Sequence, residues 1–301
     1  MKIAITGATG FLGKYLIKYL LDCNYDVLVI ARPEENAQGC FSFDVNIYES
    51  DYSINSLEDI FVGVDSIVHL AAQTMQRDTD PLKVSNFFHV NVQIYEDVLI
   101  AAQKCNVKQI IQMSSNSVYS PVNRLPFLES DNPIPATIYG VSKLYSEKLG
   151  EYVAYKTGMN VISLRLARLY GFGERDSVVF TKYMKLAINS EPIEVWGEGK
   201  TEIEYLYVKD VVEAIEVVVR KKIESGVYNV GTNRSYSVME IAKTINKVCD
   251  NEGNLIIDKS KPDNGYNILM DSSKFYNATN WTPKWNLEEA IFDIYNYYSK
   301  D

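Results

Sequence analysis

Tyr139 and Lys143 stand four residues apart in Tyr139-Gly-Val-Ser-Lys143, a spacing that puts a phenol and an ammonium on one face of a helix. A tyrosine, with an ordinary pKa of about 10, works as an acid or base near neutrality only beside a fixed cation. The pair is therefore a candidate proton-transfer couple. The same spacing recurs at Tyr152 and Lys156, so spacing alone does not choose between them. Context does. Met113-Ser114-Ser115-Asn116-Ser117-Val118-Tyr119 ends an apolar, strand-like run upstream of Tyr139, and a serine hydroxyl at that strand end faces the same crevice. Tyr152 has no such partner.

A second group lies at the amino terminus, in Thr6-Gly7-Ala8-Thr9-Gly10-Phe11-Leu12-Gly13. Gly7 permits a tight turn, Gly10 lets backbone approach a pyrophosphate, and Gly13 lets a helix pack on a strand. The helix that opens there presents its positive end to phosphate. This is a dinucleotide-binding pattern. The next strand should end on an acid if it is to hold the ribose 2′-hydroxyl of NAD, but it ends Ala31-Arg32. A cation there suits a 2′-phosphate and predicts NADP, unless Arg32 merely sits in solvent.

These residues need a scaffold, and the sequence supplies one. From residue 2 to about 170, β-branched runs alternate with helix-length amphipathic stretches, the pattern of a doubly wound parallel sheet. The predicted strands are Lys2–Thr6, Asp26–Ala31, Cys40–Asp44, Ser66–Leu70, Gln109–Ser114 and Val161–Leu166, and the clearest helices Phe11–Leu21, Phe87–Lys104 and Ile138–Tyr155. Sheets of this type bind ligands beyond the carboxyl ends of their strands. After residue 171 the rhythm is less regular. Helices are predicted at Val178–Ser190, Asp210–Lys222, Ser237–Val248 and Leu287–Tyr298, with a short strand at Pro192–Trp196. The expected division is a Rossmann domain over residues 1–171 and a smaller α/β substrate-binding domain over 172–301, some of whose segments can return to the first.

Composition narrows the function classes. The 301 residues are 47% hydrophobic, enough for one large core. No apolar run approaches the roughly 20 residues that cross a bilayer, so a cytoplasmic protein without a membrane partner is expected. A formal charge of −9 and no basic stripe argue against nucleic acid. Cys23, Cys40, Cys105 and Cys249 lie far apart, which fits reduced, buried thiols better than disulfides. With two histidines, His69 and His89, no metal site is expected.

Taken together, the motifs resemble the extended short-chain dehydrogenase/reductase family: nucleotide-sugar epimerases, dehydratases and 4-keto reductases. The resemblance runs through the glycine element, Asp51-Tyr52, His69-Leu-Ala-Ala72, Asn91, Ser114–Tyr119, Tyr139/Lys143, Arg165-Leu-Ala-Arg-Leu-Tyr-Gly171, Trp196-Gly-Glu-Gly199, Tyr205–Asp210, Tyr228-Asn-Val-Gly231 and Trp281-Thr-Pro283. It implies a catalytic triad of Ser115, Tyr139 and Lys143. It further implies cofactor contacts from Gly7, Thr9, Gly10, Phe11, Leu12 and Gly13, from Asp51 and Tyr52 at the adenine, and from Leu70, Ala71, Ala72, Asn91, Ser114 and Leu166. Gln73, Thr74, Ser115, Asn116 and Arg168 are implied at the sugar nucleotide, and a homodimer is implied as the assembly.

Two departures sharpen the expectation. Dehydratases resemble Thr-Asp-Glu at the triad serine and the next two positions, whereas Ser115, Asn116 and Ser117 lack the acid and base for eliminating water. Many members also carry asparagine at position 168 and arginine at position 203; this chain has Arg168 and Ile203. Arg168 then replaces the missing phosphate ligand, or the substrate does not carry a standard nucleotide diphosphate, or Arg168 serves a structural salt bridge. The leading expectation is an NADP-dependent reductase of a nucleotide-linked 4-keto-6-deoxyhexose. The alternatives are a 4-epimerase with tightly held NAD and a non-catalytic dinucleotide sensor.

Overall fold

The computed structural model describes residues 1–35, 37–75, 80, 83–176, 178–263 and 265–299. Its centre is a seven-stranded parallel sheet ordered β10-β6-β5-β4-β1-β2-β3. The strands are β1 (Lys2–Thr6), β2 (Asp26–Ala31), β3 (Asn46–Glu49), β4 (Ser66–His69), β5 (Gln109–Ser115), β6 (Asn160–Leu166) and β10 (Gly226–Val230). Helices cover both faces, so interior strands such as Lys2-Ile-Ala-Ile-Thr6 are apolar and buried nearly throughout rather than alternating. The strand order reverses between β1 and β4, where such sheets leave a crevice.

The expected fold class is the observed one, with local differences. Cys40–Asp44 is not a strand. A short 3₁₀ turn ends at Cys40, and Phe41 and Phe43 pack as a tilted pair at 5.6 Å against the core. The apolar alternation that imitates a strand there is packing; the edge strand β3 follows two residues later. The helix expected at Phe87–Lys104 starts earlier, as α3 (Ser85–Phe88), passes through a π-turn at His89–Gln93 and continues as α4 (Ile94–Lys104). Of the cysteines only Cys249 is buried; Cys23 is exposed at the end of α1 (Phe11–Asp22), and Cys40 and Cys105 are half-buried.

The helix carrying the tyrosine–lysine pair, α5 (Ile138–Thr157), is bounded by strong local signals. The Thr137 hydroxyl accepts from the Gly140 N–H at 3.1 Å, and Gly158 closes it with φ +73°. Its buried face is Gly140, Ser142, Lys143, Ser146, Glu147 and Gly150. Four of these six are small, so the helix lies close on the sheet, which buries Lys143 and Glu147 with them. A Cβ on Gly140 would stand 2.0 Å from the Ser117 carbonyl oxygen, so glycine is required where the helix meets the loop after β5.

Beyond β6 the chain builds a second layer. Its pieces are β7 (Arg168–Tyr170), α6 (Val179–Ile188), β8 (Ile193–Trp196), β9 (Glu202–Tyr207), α7 (Val208–Lys221), β11 (Ser235–Ser237), α8 (Val238–Val248) and β12 (Leu255–Asp258), then α9 (Ser273–Thr279) and α10 (Leu287–Tyr298). Strands β11-β9-β7 form one small sheet and β12-β8 another. Between them the chain returns: α7 packs on α1, and β10 adds to β6 as the seventh strand of the main sheet. Buried Asp210 on α7 accepts from the Lys284 and Trp285 N–H groups, which pins the segment before α10. No helix among the described residues is long and apolar enough to cross a membrane.

Candidate active site

The switch point opens into a crevice of about 2170 Å³, running from the glycine loop past the ends of β4, β5 and β6 to Trp196, Asp263 and Tyr266 on the second layer. That volume is well above the 300–1,000 Å³ or so of a single small-molecule pocket, so two ligands can lie end to end. At one end, Gly7 adopts φ +65° and packs so tightly that a Cβ would lie 2.4 Å from the Ala71 N. Helix α1 begins after Gly10 with no side-chain cap, leaving its first N–H groups available to an anion. Thr9, Phe11, Leu12, Gly13, Leu70, Ala72, Ser114 and Leu166 also line this end. His69 is a clamp: its Nδ1 pairs with Thr6 Oγ1 at 2.9 Å, joining the ends of β1 and β4. Burial, with the nearby Lys143 charge, pushes its pKa down to about 3, so it stays neutral.

Lys143 is buried, donates from Nζ to the Met113 carbonyl at 2.8 Å and sits 5.9 Å from the Tyr139 ring centroid. Burial lowers its pKa to about 8, against the opposing pull of Glu147. Burial raises the Tyr139 phenol, while the Ser115 hydroxyl and the Arg175 charge favour its ionised form. Ser115, Tyr139 and Lys143 are thus brought to one wall of the crevice. Tyr152, by contrast, is 59% exposed on the outer face of α5.

The neighbouring serine has a different role. The Ser114 hydroxyl donates to Glu147, which also accepts from Arg165 at 2.9 and 2.7 Å in a fully buried bidentate pair. The Ser115 hydroxyl faces the crevice. It accepts from the Ser117 N–H at 3.1 Å and donates to Asn116 Oδ1 at 3.2 Å. All of these partners are neutral.

Several expected contacts are occupied within the protein. Asn91 is buried in the π-turn; its Oδ1 accepts from the Gln73 N–H at 2.7 Å, and its Nδ2 donates to the Gln73 carbonyl at 3.0 Å and Ser142 Oγ at 2.8 Å. It positions the Gln73–Thr74 segment rather than offering its amide to a ligand. Tyr52, at φ +63°, is buried with its hydroxyl donating to the Ile30 carbonyl, and Asp51 caps the Ser53 N–H. The Tyr52 hydroxyl is thus occupied, whereas Asp51 is exposed and keeps its second carboxylate oxygen for an adenine. Arg168 lines the crevice with its charge close to Tyr205, and the apolar Ile203 bridges to Ile268 where the other cation would stand.

Two residues escaped the sequence reading. Arg175 donates to Thr74 Oγ1 at 2.9 Å across the mouth of the crevice. It follows Gly171 in an aperiodic loop, and nothing but its charge marks it. Glu35 lies in a 3₁₀ turn, Pro33–Glu35, and ties the glycine loop to the end of β2: Thr9 Oγ1 donates to Oε2 at 2.9 Å and Arg32 Nε to Oε1 at 2.8 Å. Glu34 is 3.5 Å from the same Nε. Arg32 is therefore not a lone cation. Its i,i+3 acid was the available signal.

The sequence profile of the NAD dependent epimerase/dehydratase family matches residues 3–231, and the chain belongs to that family. Among curated relatives it is 28% identical to the trifunctional UDP-glucose 4,6-dehydratase/UDP-4-keto-6-deoxy-D-glucose 3,5-epimerase/UDP-4-keto-L-rhamnose-reductase of Arabidopsis thaliana, over 99% of this chain and 47% of that protein. Among solved structures it is similar to the UDP-N-acetylglucosamine 4-epimerase of Bacillus cereus, at TM-score 0.87 and 29% identity over 99% of this chain and 96% of that one. The fold is also that of the UDP-glucuronic acid 4-epimerase of Bacillus cereus, solved with UDP-glucuronic acid and NAD, at TM-score 0.86 and 24% identity over 100% and 99%.

Proposed function

We propose that the protein is a nucleotide-sugar 4-epimerase that retains NAD. The observation that carries this is the composition of the reacting wall: Ser115, Tyr139 and Lys143, with the neutral Asn116 and Ser117 at the two positions after Ser115. Such a wall can move one proton at one oxygen but has no second acid–base pair for eliminating water. The 4-epimerases among similar structures favour the same assignment over the NADP-dependent reductase expected from Arg32.

The uncapped start of α1 and the Gly7–Ala71 contact fit the pyrophosphate of a dinucleotide, and Lys143 fits its nicotinamide ribose. Bound there, a dinucleotide supplies reversible hydride acceptance. Tyr139 takes the proton of the C4 hydroxyl as the carbon is oxidised, and gives it back when the carbon is reduced on its other face. Ser115 hydrogen-bonds the same oxygen throughout, and the Lys143 charge stabilises the phenolate that takes the proton in the first step and is regenerated by the second. Arg168 and Arg175 supply positive charge at the sugar-diphosphate end. Phe88 and Tyr145, both exposed and packed edge to face at 5.9 Å, offer an apolar face for the homodimer.

A reductase is the second reading, favoured by the half-exposed Arg32 guanidinium at the end of β2. The two are separated by incubating the purified protein with UDP-N-acetylglucosamine or UDP-glucose and no added cofactor, with mass spectrometry of the nucleotide released on denaturation. Epimerisation with NAD released is expected. Stoichiometric oxidation of NADPH by a nucleotide-linked 4-keto-6-deoxyhexose, with no epimerisation, assigns the reductase instead.

A further inference from the structure

The corner formed by Thr9, Arg32 and Glu35 has a geometry that its sequence conceals. Strands β1 and β2 are parallel neighbours, with Thr6 opposite Ile30, so the glycine loop and the end of β2 emerge side by side. The adenosine ribose of a dinucleotide held on that loop lies over the end of β2. In this chain the link across that gap is a carboxylate. Glu35 accepts from Thr9 Oγ1 at 2.9 Å on one oxygen and from Arg32 Nε at 2.8 Å on the other. Its side chain is 22% exposed, against 49% for Arg32 and 67% for Glu34. It is thus the acid held in place from two sides, while the guanidinium is the looser partner.

We propose that Glu35 is the residue that selects the dinucleotide, accepting the ribose 2′-hydroxyl of NAD and rejecting the 2′-phosphate of NADP, with Arg32 as its positioning partner. This rests on the assignment of a dinucleotide to the glycine loop. The chemistry follows from the count of groups. A carboxylate offers about four lone-pair sites, and two of Glu35's are taken, so hydroxyl donors can still be accommodated. One guanidinium faces two carboxylates, Glu34 and Glu35, which leaves the corner with a net negative charge. A phosphate brought against Glu35 meets like charge at hydrogen-bonding range, whereas a hydroxyl gains a charge-assisted bond. An acid four residues beyond the strand end thereby does the work usually done by an acid at the strand end.

The roles assigned to Arg32 and Glu35 make opposite predictions for the same variants. Titrating the full chain, freed of co-purifying nucleotide, with NAD and NADP by calorimetry, NAD should bind more tightly by tenfold or so, the worth of one hydrogen bond to a charged group. Glu35→Gln should abolish most of that ratio, and Glu35→Asp, which keeps the charge, should preserve part of it. Arg32→Ala should weaken NAD by severalfold, because Glu35 loses a tether. Thermal midpoints of the variants within a degree or two of the parent exclude a folding defect. The proposal is overturned if Arg32→Ala weakens NADP alone or if Glu35→Gln leaves the ratio unchanged. A parent that prefers NAD with an unresponsive Glu35→Gln removes this inference and leaves the epimerase in place. A parent that prefers NADP removes both the inference and the assignment of NAD.

Discussion

Asn91 offers the sharpest test of how the crevice is held together. Replacing it with alanine removes three hydrogen bonds, two to the Gln73 backbone at 2.7 and 3.0 Å and one to Ser142 Oγ at 2.8 Å. Each contributes about 1 kcal/mol net. Gln73 is half-buried, so water can reach its freed backbone groups and no full desolvation penalty is added. The expected loss is about 2–3 kcal/mol, or roughly 5 °C in the thermal midpoint for a chain of this size. The Ser142 hydroxyl also donates to the Tyr139 carbonyl at 2.7 Å, so the variant loosens the first turn of α5 as well as the Gln73–Thr74 segment. Thr74 is the partner of Arg175, and KM for the sugar nucleotide should rise severalfold as the mouth of the crevice loses definition. Dinucleotide affinity should change by less than about threefold, a fraction of 1 kcal/mol, since no donor to it is lost. Differential scanning calorimetry and titration with NAD measure both quantities. An unchanged midpoint with a tenfold or greater loss of NAD affinity refutes the positioning role and makes Asn91 a direct cofactor ligand.

Tyr139→Phe should lower kcat by a factor on the order of a hundred or more while NAD affinity is nearly unaffected, whereas Tyr152→Phe, on the exposed face of α5, should leave kcat within about twofold. A larger loss at Tyr152 than at Tyr139 refutes the placement of the site. The pH profile of kcat/KM should fall as pH rises through about 8, where the buried Lys143 loses its proton and with it the charge that stabilises the phenolate. Because this pKa is below the unfolded value, the unfolded chain binds the extra proton between about 8 and 10.5, so the same titration raises stability with pH. An activity loss that tracks a falling thermal midpoint, or no loss up to pH 9.5, contradicts the assignment.

What the sequence carries and what it hides differ in kind. The glycine element, the strands Lys2–Thr6 and Asp26–Ala31, and the Tyr139–Lys143 pair are local: each feature is written in a few consecutive residues whose spacing has one geometric meaning. Gly226–Val230 is five residues of ordinary apolar character, and its place as the seventh strand is set by pairing with β6 some sixty residues earlier, which no period reveals. Phe41 and Phe43 alternate like a strand because they pack like one, but the sheet edge is claimed by Asn46–Glu49. Arg32 was legible as a cation and its partner Glu35 was adjacent, yet their pairing depends on a 3₁₀ turn that brings an acid back over the strand end. Arg175 finds Thr74 across 101 residues of sequence.

The return of β10 bears directly on the chemistry. Asn229, in the middle of that strand, accepts from the Tyr119 hydroxyl at 3.0 Å, and the same hydroxyl accepts from Arg165 Nη1 at 2.6 Å. Arg165 grips Glu147, and Glu147 lies one helical turn beyond Lys143 on the buried face of α5. A buried ion pair of this kind is a poor source of stability, because desolvation offsets most of the attraction. Its value lies elsewhere. Lys143 must remain charged in a place where burial alone would neutralise it, and Glu147 is the group that opposes that pull. Arg165 and the Ser114 hydroxyl fix the Glu147 carboxylate in place, and Tyr119 with Asn229 holds Arg165. The surroundings of Lys143 therefore depend on a strand contributed after the second layer has begun, and neither layer alone contains the complete chain of groups that reaches it.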